Sequence, residues 1–231
     1  MTKNLYTTFS EALMHSTRLL AILIDPEKFD STKTAAFLRE VPTETTHIFV
    51  GGSTVPEGMT ESLVKELKLY TAKPILIFPG DVTQITNQAD GLLFLSLLSG
   101  RNPEYLIGQH VKAVSKLRST SLEIIPTGYI LINGENASAV ASVTETKPLP
   151  QTAIQTIVDT AKAGELMGAK LMYLEAGSGA KVAVSSEIIS AVKQELNIPL
   201  IVGGGIRTKE QIENAYKAGA TMVVMGTAFE K

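Results

Sequence analysis

Cysteine and tryptophan are both absent from this 231-residue chain. Without cysteine there is no disulfide framework, no thiolate metal site and no thiol nucleophile, and a reducing compartment is the natural setting. Charge is sparse as well. Asp, Glu, Lys and Arg make up 19% of the residues, net charge is −2, and no basic stripe points to nucleic acid. The longest wholly apolar run, Leu19–Ile24, is far too short to cross a bilayer. Residues 1–6 contain no leader-type apolar core. A soluble, cytoplasmic protein is therefore expected, whose contact with a membrane is at most peripheral. Several chemistries are missing too. His15, His47 and His110 are too scattered for a metal cluster, and no serine occupies a nucleophile elbow. There is no G-x-x-x-x-G-K-[ST] and no Asp-Asp-x-x-Asp.

What is present is a regular alternation. Short β-rich runs lie at Leu19–Ile24, His47–Val50, Pro74–Phe78, Gly91–Leu95, Leu122–Ile125, Leu171–Glu175, Leu200–Val202 and Met222–Met225. Helical patterns separate them at Met59–Leu69, Pro103–Lys116, Thr152–Met167, Ser185–Leu196 and Lys209–Ala218. Thr8 with Glu11, and Thr208 with Gln211, have capping-box spacing, and Asn102 before Pro103 reads as an N-cap. The segment Val82–Ala89 is short and polar, so the third helix is weak. Residues 137–151 read as an elaborated loop. With 44% hydrophobic residues, eight such units predict one α/β domain over residues 1–231, a (β/α)8 barrel modified around its third helix. An open doubly wound sheet is the alternative. No eighth helix is visible after Met225. The outward residues Ile22, Ile24 and Val223 are then expected to be covered by further chain, by an N-terminal helix over Thr8–Ser16, or by a second copy in a homo-oligomer.

Three strand ends in the last third carry the strongest functional signal: Tyr173–Gly179, Ile201–Arg207 and Val223–Thr227. Each closes in glycine, which lets backbone N–H groups approach a ligand without side-chain obstruction. Three consecutive turns of this kind predict an anion cradle, most simply for phosphate; an ordinary strand-to-helix turn is the alternative for each one. Alternation puts Leu171, Tyr173 and Glu175 on one face, so a carboxylate crowns the sixth strand beside a phenol. It either binds substrate or meets a lysine across the barrel mouth. On the first strand Ala21, Leu23 and Asp25 share a face, and Lys28 stands at i+3 from Asp25. Asp25 is a hard oxygen ligand suited to Mg²⁺ and Lys28 a cation suited to phosphate, or the two form a local ion pair in a turn. Gly51 and Gly52 lead to Ser53 and Thr54, either of which offers a hydroxyl ligand.

Together, Asp25–Lys28, Gly51–Ser53, Gly100–Leu106, Tyr173–Gly179, Gly203–Arg207 and Gly226–Thr227 resemble the geranylgeranylglyceryl phosphate synthase family, from the first strand to the last. The resemblance implies a Mg²⁺-dependent prenyltransferase on a modified barrel, joining a prenyl diphosphate to the C3 hydroxyl of sn-glycerol 1-phosphate to give an ether-lipid precursor. It implies Mg²⁺ at Asp25 and Ser53. It places glycerol phosphate along Tyr173, Leu174, Glu175, Ala176, Gly177, Ser178 and Gly179, at Gly204 and Gly205, and at Gly226 and Thr227. Glu175 would then take the hydroxyl proton, Tyr173 orient the acceptor and Lys28 assist the leaving diphosphate. Apolar walls for the prenyl chain are expected from Leu92–Leu95, Leu97, Leu98 and Ile130–Ile132, unless these are ordinary core. Two other readings stay open: a phosphosugar isomerase or lyase, which would want an acid on the fifth strand, and a non-catalytic binder of phosphate ligands.

Overall fold

Side-chain alternation along eight short strands sorts the apolar residues into an inner and an outer shell. The computed structural model describes residues 4–226. Its strands are β1 (Leu19–Ile24), β2 (His47–Val50), β3 (Ile75–Ile77), β4 (Gly91–Leu97), β5 (Glu123–Leu131), β6 (Leu171–Glu175), β7 (Leu200–Gly203) and β8 (Met222–Met225). All neighbours pair in parallel, and β8 pairs with β1 (Leu19↔Met222 to Ile22↔Met225), so the sheet closes. That pairing excludes the open doubly wound sheet.

The inner shell holds Leu19, Ala21, Phe49, Leu76, Leu93, Tyr129, Tyr173, Ile201 and Val224. Side chains fill the lower barrel as they must in an eight-stranded one. The outer shell, with Ile22, Ile48, Ile75, Leu174 and Val202, packs under the helices: α2 (Thr34–Glu40), α3 (Met59–Lys68), α4 (Gln109–Leu117), α6 (Ile154–Leu166), α7 (Ser186–Glu195) and α8 (Lys209–Ala218). A further helix, α1 (Leu5–His15), closes the floor: its Phe9 and Ala12 belong to the inner shell. The Glu123 carboxylate at the foot of β5 accepts from the N–H groups of Leu5 and Tyr6, two donors that a helix N-terminus otherwise leaves unpaired.

Several expectations need correction. The N-cap of α1 is Asn4, whose side chain accepts from Tyr6 N, so Thr8 lies inside the helix. Strand β5 does not stop at Ile125 but runs through Pro126 to Leu131. The loop over residues 137–151 contains a short helix, α5 (Ala139–Thr144), capped by Ser138. Helix α2 had no sequence signal. The weak third connection is a single 3₁₀ turn, Val82–Gln84. Asn102 does cap: its side chain accepts from Glu104 N at 3.0 Å, and the next turn, Glu104–Gly108, is π-helical. Ile22, Ile24 and Val223 are not left bare by the described residues, being at most 3% exposed. They join the cluster against which Phe37 and Leu38 of α2, and Ile212 and Tyr216 of α8, also pack. Helix α1 is not their cover. An extension of the chain past β8 would fall outside the described residues.

Candidate active site

The polar residues sit where the strand tops come level. Gly51 N donates to Ile24 O at 3.1 Å and Phe78 N to Val50 O at 2.9 Å, which aligns Asp25, Gly51 and Phe78 at the ends of β1, β2 and β3. Across the barrel, Glu175 pairs in register with Leu131 and Gly203. Between these two sides lies a cavity of about 220 Å³, lined by Asp25, Lys28, Ser53, Thr54, Tyr173 and Glu175, with Ser178, Gly204, Gly205, Arg207 and Gly226. One space therefore gathers side chains from both halves of the sequence.

Glu175 is only 6% exposed. Burial lifts its carboxyl from 4.5 to about 7, against the opposing pull of the Gly177 N–H and the Tyr173 phenol. Gly177 N donates to its Oε1 at 2.7 Å. Tyr173 lies one inward step below. Its hydroxyl is buried and has no hydrogen-bond partner among the described residues, yet it is close enough to bias the carboxyl. Among the described residues Glu175 has no ion-pair partner, so a lysine across the mouth does not account for it. The glycine turns are built for close approach. Gly177, Gly179, Gly204 and Gly205 all have positive φ. A Cβ on Gly204 would collide with Glu175 Oε1 and sit 2.6 Å from Ala176 N, so glycine there lets the β6 and β7 turns interlock.

At the other side, Asp25 Oδ2 is 3.3 Å from Lys28 Nζ, and Oδ1 accepts from Glu27 N at 3.1 Å. The turn with its local ion pair is thus present. It does not bury the carboxylate: Asp25 still lines the cavity. A Cβ on Gly52 would stand 2.7 Å from Asp25 Oδ1, so only glycine lets the β2 turn reach this carboxylate. Thr54 Oγ1 lies 3.4 Å from Glu27 Oε2, which makes Ser53 the less engaged of the two hydroxyl candidates. Among the described residues no group of three or more His, Cys, Asp or Glu is placed to hold a metal. An oxygen-ligated Mg²⁺ sharing its shell with water and phosphates fits these donors; an all-protein cage does not.

The expected residues are not equivalent. Leu174 and Ala176 turn their side chains into the outer shell, leaving only their backbone for a ligand. Thr227 lies outside the described residues. Of the expected apolar walls, Leu95 and Leu97 line the cavity, whereas Leu92, Leu98, Ile130 and Ile132 are outer-shell core. Other wall residues were not anticipated from sequence, among them Phe78, Tyr105, Tyr129, and Val140 and Val143 of α5. Tyr105 Oη donates to Val143 O at 3.3 Å, linking the π turn to α5 over the cavity. Strand β5 offers Tyr129 and Leu131 inward at its upper end. Its one carboxylate, Glu123, is committed to the floor, and so the acid that an isomerase or lyase would need there is missing.

Comparison with known proteins gives a consistent picture. The profile of the PcrB family matches residues 14–231. A geranylgeranylglyceryl phosphate synthase from Zunongwangia profunda is 58% identical, covering 92% of this chain and 91% of its own length. One from Pyrococcus furiosus is 40% identical, covering 92% and 85%. The crystal structure of (S)-3-O-geranylgeranylglyceryl phosphate synthase from Thermoplasma acidophilum, in complex with sn-glycerol-1-phosphate, superposes with a TM-score of 0.93 at 32% identity, covering 100% of this chain and 93% of that one. A tryptophan synthase α-subunit from Pyrococcus furiosus, at 14% identity and a TM-score of 0.58, shares the barrel fold alone.

Proposed function

The chain belongs to the PcrB family, alongside the geranylgeranylglyceryl phosphate synthases, and we propose that it joins a prenyl diphosphate of geranylgeranyl class to the C3 hydroxyl of sn-glycerol 1-phosphate with the help of Mg²⁺. It is a prenyltransferase of lipid biosynthesis. The observation that carries the residue-level reading is that one cavity is lined by a glycine-flanked carboxylate at β6–β7, by a carboxylate–ammonium pair at β1 and by apolar side chains.

Glycerol phosphate is assigned to the first of these. The turns at Gly177–Gly179, Gly204–Gly205 and Gly226 receive its phosphate through backbone groups, and Ser178 adds a hydroxyl. The C3 hydroxyl then lies toward Glu175, with Tyr173 orienting it. The diphosphate is assigned to Lys28 and to the Asp25 side of the cavity. Asp25, with Ser53 or Thr54, would hold Mg²⁺, which supplies neutralising charge to diphosphate oxygens when bound. In the transfer the C1–O bond of the prenyl diphosphate breaks and its electron pair leaves with the diphosphate. A lone pair of the C3 hydroxyl oxygen forms the new bond to C1, and the hydroxyl proton passes to the Glu175 carboxylate. With its carboxyl raised to about 7, Glu175 is a stronger base than an ordinary carboxylate and is still half ionised near neutrality. The walls formed by Leu95, Leu97, Tyr105, Val140 and Val143 receive the prenyl chain.

The direct test incubates the protein with radiolabelled sn-glycerol 1-phosphate, Mg²⁺ and a panel of prenyl diphosphates, and measures organic-extractable label. Label is expected only when both substrates and the ion are present. Its absence across the panel would leave a phosphate binder. A homo-oligomer is part of the proposal: Ile107, Val111 and Val114 stand exposed at helical i, i+4 and i+7 spacing along the π turn and α4. Light scattering that returns the monomer mass would remove it.

A further inference from the structure

Four aromatic rings meet inside the barrel, and three of them line the cavity that holds both polar sites. Phe78, the residue directly after β3, has its ring centroid 5.3 Å from Tyr173, 5.9 Å from Tyr129 and 6.4 Å from Phe49. Tyr129 pairs in register with Tyr173, their centroids 5.5 Å apart. Phe49 is fully buried beneath, while Phe78 and Tyr129 line the cavity. The strand-top alignment puts Phe78 level with Gly51, whose N–H is held by the residue before Asp25. Its tilted neighbour Tyr173 is one inward step below Glu175. Phe78, level with the turn that faces Asp25, and Tyr129, paired with Tyr173, therefore both line the one cavity in which the new bond must form.

An electron-poor carbon at that point needs stabilisation that does not itself capture it. A lysine would repel it, and a water or an exposed hydroxyl would quench it. An aromatic face attracts positive charge through its quadrupole and offers Phe78 carbons only. Burial and the neighbouring Glu175 hold the Tyr129 phenol well above its ordinary range, so that ring is neutral as well. We propose that Phe78 and Tyr129 present their ring faces to the reacting allylic carbon and stabilise the positive charge that develops there as the C1–O bond breaks. The proposal rests on the prenyl-transfer reading above. The electron pair still leaves with the diphosphate and the proton still goes to Glu175; the rings change only the charge that the transition state can bear.

An ordinary apolar wall would also lower activity when disturbed, so the test compares charge with shape. Phe78→Leu, Phe78→Tyr, Tyr129→Leu and Tyr129→Phe are measured for turnover. They are then measured for inhibition by an ammonium analogue of the prenyl chain, given with inorganic diphosphate, and by its uncharged isostere. In the leucine variants kcat should fall about tenfold or more while KM for the prenyl diphosphate changes little, and the preference for the ammonium analogue should fall about tenfold. The ring-keeping variants Phe78→Tyr and Tyr129→Phe should retain that preference. An unchanged preference in leucine variants that melt like the wild type would overturn the proposal and leave the rings as wall. If Phe78→Leu fails to fold, the two Tyr129 variants decide by the same ratio. A wild-type protein with no prenyl transfer at all would instead defeat the functional reading, and this proposal with it.

Discussion

Glu175 and Asp25 do different work because their surroundings differ. Glu175 is enclosed, hydrogen-bonded by one N–H and lifted to about 7; Asp25 keeps a cation 3.3 Å away at the edge of the cavity. Glu175→Gln preserves the acceptor that Gly177 N uses but removes the base. We expect kcat to fall roughly 10²- to 10⁴-fold, with the calorimetric affinity for sn-glycerol 1-phosphate changed only a few-fold. Affinity lost in proportion to rate would reassign Glu175 to binding. In the wild type, activity should decline as pH drops below about 7, when the carboxyl is already protonated. Asp25→Asn should lower turnover about 10²-fold or more at saturating Mg²⁺ with an unchanged melting temperature; a variant retaining a tenth of the activity would argue against the assignment. Both residues were legible because a period of two tells inward from outward on a strand. Phe78 and Tyr129 were not. An aromatic at a strand end reads as core, and only the closed barrel shows that these rings line a cavity.

Secondary elements were legible in proportion to how sharply their ends are marked. Strands β1, β2, β6 and β8 match the sequence reading because turn residues or a change of period bound each apolar run. Strand β5 was cut short at Pro126, since proline removes a ladder donor. In the barrel the Pro126 carbonyl still accepts from Lys170 N at 2.7 Å, and so the strand continues. Helix α5 was hidden by its six-residue length: a segment that short is held by its contacts rather than by propensity. The glycine turns were legible as a class, but their packing was not. Sequence alone suggests that a side chain at Gly204 would simply obstruct phosphate. The φ of +79° and the clash with Glu175 and the Ala176 backbone add a structural penalty. Gly204→Ala should therefore cost stability of order 2 kcal/mol or more, beyond any rise in KM. Chemical denaturation reads this directly, and a wild-type midpoint would show that the two turns are looser than described.

At the scale of the whole barrel, the two ends titrate in opposite directions. The open end holds Glu175. The closed end holds His47, on β2 under α1, 5.2 Å from the Phe9 ring. Its Nδ1 meets Thr46 Oγ1 at 2.8 Å, and its buried Nε2 has no partner among the described residues. Burial, assisted by the nearby Lys73 ammonium, lowers the imidazole from 6.5 to about 4. The sign of each effect depends on which state, folded or unfolded, holds more protons. Between pH 6.5 and about 4 the unfolded His47 is protonated and the folded one is not, so stability falls as pH falls; the full window is worth on the order of 3 kcal/mol. Between about 7 and 4.5 the folded Glu175 is protonated and the unfolded one is not, so stability rises as pH falls. From 6.5 to 4.5 the two slopes oppose each other, and the wild type should be nearly insensitive to pH with respect to this pair. Removing one exposes the other. Glu175→Gln should lose stability more steeply on acidification over that range, and His47→Gln should gain it, whatever offset each substitution adds at neutral pH. Denaturant midpoints at half-unit pH steps provide the slopes. Parallel curves for the three proteins would mean that neither group is as dry in solution as its burial indicates.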